Sequence, residues 1–161
     1  MFVLRDPGAT AESGANETGF LDPFLNRDPT SARQRAALEK AGIDRGICVW
    51  WNASPFHLGY KGLLRPVDEE FGAGCLRDAL GLCSELRVVV AMGPPAHAVC
   101  DRVWLSGAPR LPRLLHAPQP LIYGRGWEER RALLDERLAE AAKIAGAARR
   151  RRTTPQGRPR P

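Results

Sequence analysis

The chain has 161 residues, enough for one domain with a hydrophobic core, and no apolar stretch approaches the roughly 20 residues that span a bilayer. Its net charge of +6 comes entirely from the segment after residue 148, which carries six arginines and no acid, so the balanced remainder does not by itself indicate nucleic-acid binding. The start lacks the basic region and the cleavage site of a secretory signal, so we expect a cytoplasmic protein without membrane association.

The cysteines lie in apolar surroundings and form no C-x-x-C pair. They are Cys48, Cys75, Cys83 and Cys100. This pattern favours buried thiols over a zinc or iron–sulfur site. We expect neither a metal nor a cofactor.

Hydrophobic periodicity and turn residues predict alternating strands and helices. The clearest strand is 87–92, which is short, continuous and β-branched, whereas the helix at 68–86 is weakened by Gly72 and Gly74. In chain order, the predicted elements are a strand at 2–4, a helix at 31–41 capped by Asp28 or Thr30, a strand at 47–51, a helix at 68–86, a strand at 87–92, a helix at 93–105, a strand at 111–116 and an amphipathic helix from about Trp127.

This alternation predicts a three-layer α/β/α sandwich around a mostly parallel four-stranded sheet. We assign residues 1–148 to the domain and residues 149–161, rich in Arg and Pro, to a disordered tail. Ligands of parallel sheets bind beyond the carboxyl ends of the strands. Four segments qualify: 5–8, 52–57, 93–96 and 116–123.

The segment 47–62 is the most suggestive of these regions. After a buried strand it supplies an amide, a hydroxyl, a histidine, several aromatic rings and a lysine. Such groups are suited to holding a flat polar ring beside a phosphate chain.

The strand ends resemble the motifs of the uracil-DNA glycosylase superfamily, most closely its compact bacterial members without an iron–sulfur cluster. Asp6-Pro7 is similar to the Asp-Pro of the family's first motif, and Asn52-Ala53 is similar to its L-L-N-A segment. Residues 87–93 resemble its V-V-x-x-G element, and 116–123 stand where the family has H-P-S-P and a DNA-inserting loop. Four motifs in the same order are moderately specific.

The resemblance implies a DNA repair enzyme that flips uracil, or a similar deaminated base, out of DNA and hydrolyses its N-glycosidic bond. Asp6 would orient the attacking water and stabilise the cationic sugar, and Asn52 would read the uracil edge. Phe20 would stack on the base, although it could instead be a loop aromatic packed on the core, and Phe24 is equally available for stacking. The donor to uracil O2 would be His116 or Gln119, because the last motif is His-Ala-Pro-Gln-Pro-Leu and either residue could stand for the family's histidine.

The resemblance also implies a monomer whose partner is uracil-containing DNA. Leu121, Ile122 and Tyr123 would form a wedge entering the duplex, while Lys61 and Arg125 would hold phosphates. The arginine-rich tail would add salt-sensitive affinity that does not depend on sequence.

Simpler interpretations stand beside these. Asp6 and Asn52 could be ordinary turn residues, and His57 and His97 are expected to be structural or exposed. The alternative function is a catalytically weakened or inactive DNA- or nucleotide-binding module of the same fold. A hydrolase of small nucleotides ranks last, because the sequence has no G-x-x-x-x-G-K-[ST] loop.

Overall fold

The computed structural model describes residues 1–7, 22–26, 28–58, 64–121 and 124–153, with only the backbone for 147–153. In chain order the elements are β1 (Phe2–Leu4), α1 (Pro29–Lys40), a 3₁₀ turn (Arg45–Ile47), β2 (Trp50–Asn52), α2 (Pro66–Leu82), β3 (Val88–Met92), α3 (Pro94–Leu105), β4 (Arg113–Ala117) and α4 (Trp127–Thr153). None of the helices in these ranges is long and apolar enough to cross a membrane.

The strands form one sheet in the order β2-β1-β3-β4, and every neighbouring pair is parallel. The register places Leu4 beside Asn52, and it places Ala91 beside both Val3 and His116. The chain leaves β1 toward β2 on one side and returns to β3 on the other. The space beyond the carboxyl ends of β1 and β3 is therefore the switch point at which such sheets bind ligands.

Helices cover both faces of the sheet, which confirms the predicted three-layer architecture. Helices α2 and α3 pack on the face that carries Val3 and Ala91, here called the α2/α3 face. Helices α1 and α4 pack on the face that carries Phe2 and Val90, the α1/α4 face. The central strand β3 is buried along its whole length, because apolar layers cover it on both sides.

The second strand begins later than the predicted 47–51. The Asp44 side chain accepts a hydrogen bond from the Gly46 N–H at 2.8 Å, and this local bond folds Arg45–Ile47 into a 3₁₀ turn. Asn52 consequently belongs to the strand rather than to the following loop.

Helix boundaries also shift by a few residues. Helix α1 starts at Pro29, because Asp28 accepts the Ser31 N–H at 3.0 Å and caps it. Helix α2 starts at Pro66, ahead of the predicted residue 68, and the Asp68 carboxylate accepts the backbone N–H of Arg65 at 3.1 Å.

Gly72, which was expected only to weaken the helix, allows α2 to pack closely on the main chain after β2. A Cβ at this position would lie 1.9 Å from the Ala53 carbonyl oxygen, whereas a Cβ at Gly74 would meet nothing within 4 Å. Helix α2 therefore lies directly on the main chain that follows Asn52, and only glycine permits this approach.

Two expectations about the remaining chain differ from the structure. Only Cys100 is buried; the other three cysteines are partly exposed, and all four are free thiols. The backbone of α4 continues to Thr153, so the helix extends into the segment expected to be a disordered tail, of which residues 154–161 lie outside the described chain.

Candidate functional site

Asp6 lies just beyond the carboxyl end of β1, at the switch point of the sheet. Its side chain is 4 % exposed. Its Oδ2 accepts the Leu58 backbone N–H at 2.9 Å, and its Oδ1 accepts a hydrogen bond from Arg5 Nε. These donors compensate for the burial of the carboxylate and fix its orientation.

His57 joins Asp6 in this site, although the sequence predicted a structural or exposed residue. Its Nδ1 lies 3.3 Å from Asp6 Oδ2 and 2.8 Å from the Pro7 carbonyl oxygen. A carbonyl oxygen only accepts hydrogen bonds, so Nδ1 must carry the proton, and Nε2 holds the lone pair when the ring is neutral. The structure thus forms an aspartate–histidine pair from two residues that are distant in sequence.

Asn52 ends β2 and faces the α1/α4 side of the sheet, because it is paired with Leu4, which packs in that core. It is 7 % exposed. Its Nδ2 has no hydrogen-bond partner in the described part of the protein. Since buried side-chain donors are nearly always paired, this amide has the capacity to bind an acceptor such as the carbonyl oxygen of a flat ring.

Two further buried amides belong to the elements on this face. Gln34 of α1 is buried, and its Nε2 lies 3.6 Å from the weakly accepting sulfur of Met92. Asn26, in the turn before α1, is also buried, and its Oδ1 has no hydrogen-bond partner among the described residues. The sequence signal for Gln34 was its position one helical turn before the buried Leu38.

A cavity of about 560 Å³ lies between the loop after β2 and the first turns of α2. His57 lines it, beside the rings of Phe56 and Phe71, which stack with centroids 5.7 Å apart. At its rim, the side-chain hydrogen bonds from Arg65 hold the pKa of Asp68 below its usual value. Asp6 therefore contacts a cavity on the α2/α3 side through His57, while Asn52 faces the other side.

His116 is not brought to Asp6 or Asn52. Its register partner is Ala91, so its side chain faces α3, where Nε2 lies 2.8 Å from Asp101 Oδ1. Its ring also lies 4.5 Å from the ring of His97. Strand spacing puts β4 about 14 Å from β2. A ring that contacts Asn52 would therefore meet His116 only by crossing the sheet.

Gln119 lies closer to the switch point than His116. Its Cβ would be 3.3 Å from a Cβ placed on Gly93, the residue that follows β3 and has a φ of +89°. The side chain of Gln119 is exposed. Of the two candidates for the donor from the last motif, the geometry favours Gln119.

His97 has the structural role expected for it. Its Nε2 lies 2.9 Å from the Ala117 carbonyl oxygen and 3.2 Å from that of Ala91, so it ties α3 to the ends of two strands.

The predicted DNA contacts are only partly described. Leu121 is half-buried and Arg125 is exposed, and the Arg125 carbonyl accepts a hydrogen bond from Arg130 at 2.9 Å. The other predicted residues, Phe20, Lys61, Ile122 and Tyr123, lie outside the described residues.

The sequence matches no protein-family model, and no curated protein matches it. Any function must therefore be inferred from the geometry around Asp6, His57 and Asn52.

Proposed function

We propose that this protein is a DNA glycosylase that hydrolyses the N-glycosidic bond of uracil, or of a similar deaminated base. The observation that supports this most is the placement of Asp6 and Asn52 at the ends of neighbouring strands. Strand spacing and rise put their Cα atoms roughly 8 Å apart. Because His57 connects Asp6 to the cavity on the α2/α3 side while Asn52 faces the α1/α4 side, a flipped nucleotide would lie across the carboxyl edge of the sheet, with its sugar beside Asp6 and its base beside Asn52.

Asp6 supplies the charge that the reaction needs. As the glycosidic bond breaks, the sugar becomes cationic, and a fixed carboxylate stabilises that charge without having to reorient. The same carboxylate orients the water that attacks the sugar carbon. His57 contacts Asp6 through Nδ1 and acts as a positioning residue, holding the carboxylate together with the Leu58 N–H.

Asn52 supplies recognition of the base. A side-chain amide has an NH2 donor group and a carbonyl acceptor, which match the O4 and N3–H of uracil and mismatch the edge of cytosine. Because Nδ2 has no partner in the described protein, binding an acceptor there would remove the cost of an unpaired buried donor.

Gln119 is the proposed donor to the uracil O2. Its backbone lies against Gly93 at the carboxyl end of β3, next to β1 in the sheet. A glutamine donates a hydrogen bond but cannot change its charge, so it stabilises the anionic leaving base less adaptably than a histidine would.

The experiment is base release from a uracil-containing oligonucleotide, followed by alkaline scission. We expect wild-type protein to produce scission, and Asp6→Asn and Asn52→Ala to reduce it at least tenfold. Asp78→Asn, which neutralises an exposed carboxylate on α2, is the matched control and should retain full activity. Equal scission by Asp6→Asn, Asn52→Ala and wild type would exclude the assignment.

A second candidate is a module of the same fold that binds DNA without hydrolysing it. The observation in its favour is that both Asp6 oxygens already accept protein hydrogen bonds, which reduces their capacity to hold a water. This candidate predicts binding to uracil-containing DNA without base release. Free uracil in the reaction, identified by mass spectrometry, would eliminate it.

A further inference from the structure

A second concave region lies between α1 and α4, with a volume of about 570 Å³. Its apolar lining includes Ala36, Ala37 and Leu134. The groove exists because α1 presents two alanines, side by side, where larger side chains would fill the space between the helices.

The rim of this groove is cationic. Arg33 and Arg131 line it, together with Lys40, which pairs with Asp135 at 2.5 Å. Of the charged side chains that line the groove in the described chain, three are basic and one is acidic. The excess of basic over acidic side chains in the lining favours an anionic ligand.

Trp127 lines the same groove, and 45 % of its surface is exposed. It is the first residue of α4, and Arg131 lies one turn further on the same side of the helix. Both α1 and α4 follow parallel strands, so their first turns lie at the carboxyl edge of the sheet. The aromatic and arginine-rich part of the groove therefore opens at the edge that carries Asp6 and Asn52.

We propose that this α1/α4 groove binds single-stranded nucleic acid flanking the target nucleotide. One base stacks on Trp127, and the adjoining phosphates pair with Arg33 and Arg131. Aromatic rings with a cationic rim bind single strands in this way, independently of base sequence. The identification of the strand as DNA rests on the proposed function; the groove itself does not involve Asp6 or Asn52.

The test is the affinity of the full chain for a fluorescent, thymidine-only oligonucleotide, measured by anisotropy at several salt concentrations. We expect Trp127→Ala to weaken binding about fivefold or more. Arg131→Gln should weaken binding and lower the slope of log affinity against log salt by about 0.7. Arg77→Gln removes an exposed charge on α2, across the sheet, and should bind like wild type; the arginine tail is common to all variants.

Two outcomes would overturn the proposal. One is unchanged affinity in both Trp127→Ala and Arg131→Gln. If Trp127→Ala fails to fold, Trp127→Leu, which keeps an apolar side chain but removes the aromatic ring, takes its place. The other is polyglutamate binding as tightly as the oligonucleotide, with no loss on Trp127→Ala, which would indicate a site for acidic proteins.

The two proposals fail in different ways. Asp6→Asn leaves the groove intact, so it should keep wild-type affinity for the oligonucleotide while losing base release. A protein that releases no uracil, yet loses affinity in the groove variants, retains the groove and lacks the proposed activity.

Discussion

Replacing Gly72 by alanine perturbs the contact that fixes the end of β2. A Cβ at residue 72 would lie 1.9 Å from the Ala53 carbonyl oxygen, far inside the separation of about 3.5 Å at which nonbonded atoms attract. Helix α2 and the main chain beside Asn52 must then separate by more than about 1 Å. Forcing atoms into a packed interior costs about 1–3 kcal/mol of unfolding free energy.

Gly74→Ala is the matched control on the same helix. A Cβ there meets nothing within 4 Å, and alanine favours a helix over glycine by about 1 kcal/mol. The gain in helix propensity is common to both variants. The difference between them therefore isolates the steric cost at Gly72.

Urea unfolding followed by circular dichroism measures this difference. We expect Gly72→Ala to be less stable than Gly74→Ala by about 1–3 kcal/mol, or roughly 2–4 °C in Tm for each kcal/mol. If Asn52 reads the base, Gly72→Ala should also lower base release. Two variants of equal stability would refute the close packing of α2 on the β2 loop.

Three further predictions concern single residues. His57→Ala should lower kcat for base release about tenfold or more with little change in KM, because it removes a polar contact to the buried Asp6 carboxylate. His57→Gln should recover part of the lost kcat. A rise in KM without a fall in kcat would contradict a positioning role. Gly93→Ala should destabilise the fold by about 1–3 kcal/mol in a thermal melt, because the φ of +89° at residue 93 strains any residue with a Cβ. An unchanged Tm would show that the turn adapts to the added Cβ. Burial raises the pKa of the Cys100 thiol to about 12, so its contribution to stability is complete below about pH 9 and falls as the pH rises toward 12. The urea midpoint should therefore drop less with rising pH in Cys100→Ala than in the wild type. The drop that remains in the variant includes the contribution of Cys48, because burial raises the pKa of that thiol to about 11.

Local pattern predicted the architecture well. The run Val88–Met92 is apolar at every position, which is typical of a strand covered on both faces, and it is the buried centre of the sheet. The alternation of such strands with helical periodicity gave the parallel three-layer arrangement. These features depend on residues close in sequence, so the sequence contains the information directly.

The start of the second strand was predicted wrongly because a side chain there forms a local hydrogen bond that replaces strand pairing. The hydrophobic run from Ile47 predicted a strand, yet the Asp44 carboxylate bonds the Gly46 N–H and forms a turn there. The interaction was visible as an Asp two residues before a Gly. The apolar pattern of the following residues outweighed it.

The composition of the candidate site depended on tertiary position. Asp6 and Asn52 were proposed as site residues because they lie at strand ends and resemble motifs of the uracil-DNA glycosylase superfamily. The contact between Asp6 and His57 also requires the loop after β2 to fold back over β1. No motif or residue spacing in the sequence predicts that the loop after β2 folds back in this way. Side chains of a strand alternate between the two faces of the sheet. The sequence therefore did not predict which face His116 takes, and in the structure it faces α3 and its ion-pair partner Asp101.

The carboxyl edge of the sheet has two halves, one formed by the ends of β1 and β2 and the other by the ends of β3 and β4. They differ in whether a buried polar atom lacks a hydrogen-bond partner among the described residues. On the β3/β4 half, the Ala117 carbonyl accepts both the Gly93 N–H at 2.8 Å and the His97 ring at 2.9 Å, so the backbone there braces the sheet. On the β1/β2 half, the Asn52 amide keeps a donor that no described residue uses. If Asn52 reads the base, substitution of this one residue would change recognition without breaking a bond of its Nδ2 to a described residue, whereas changes at Gly93 or His97 would disturb the bonds that join the ends of β3 and β4.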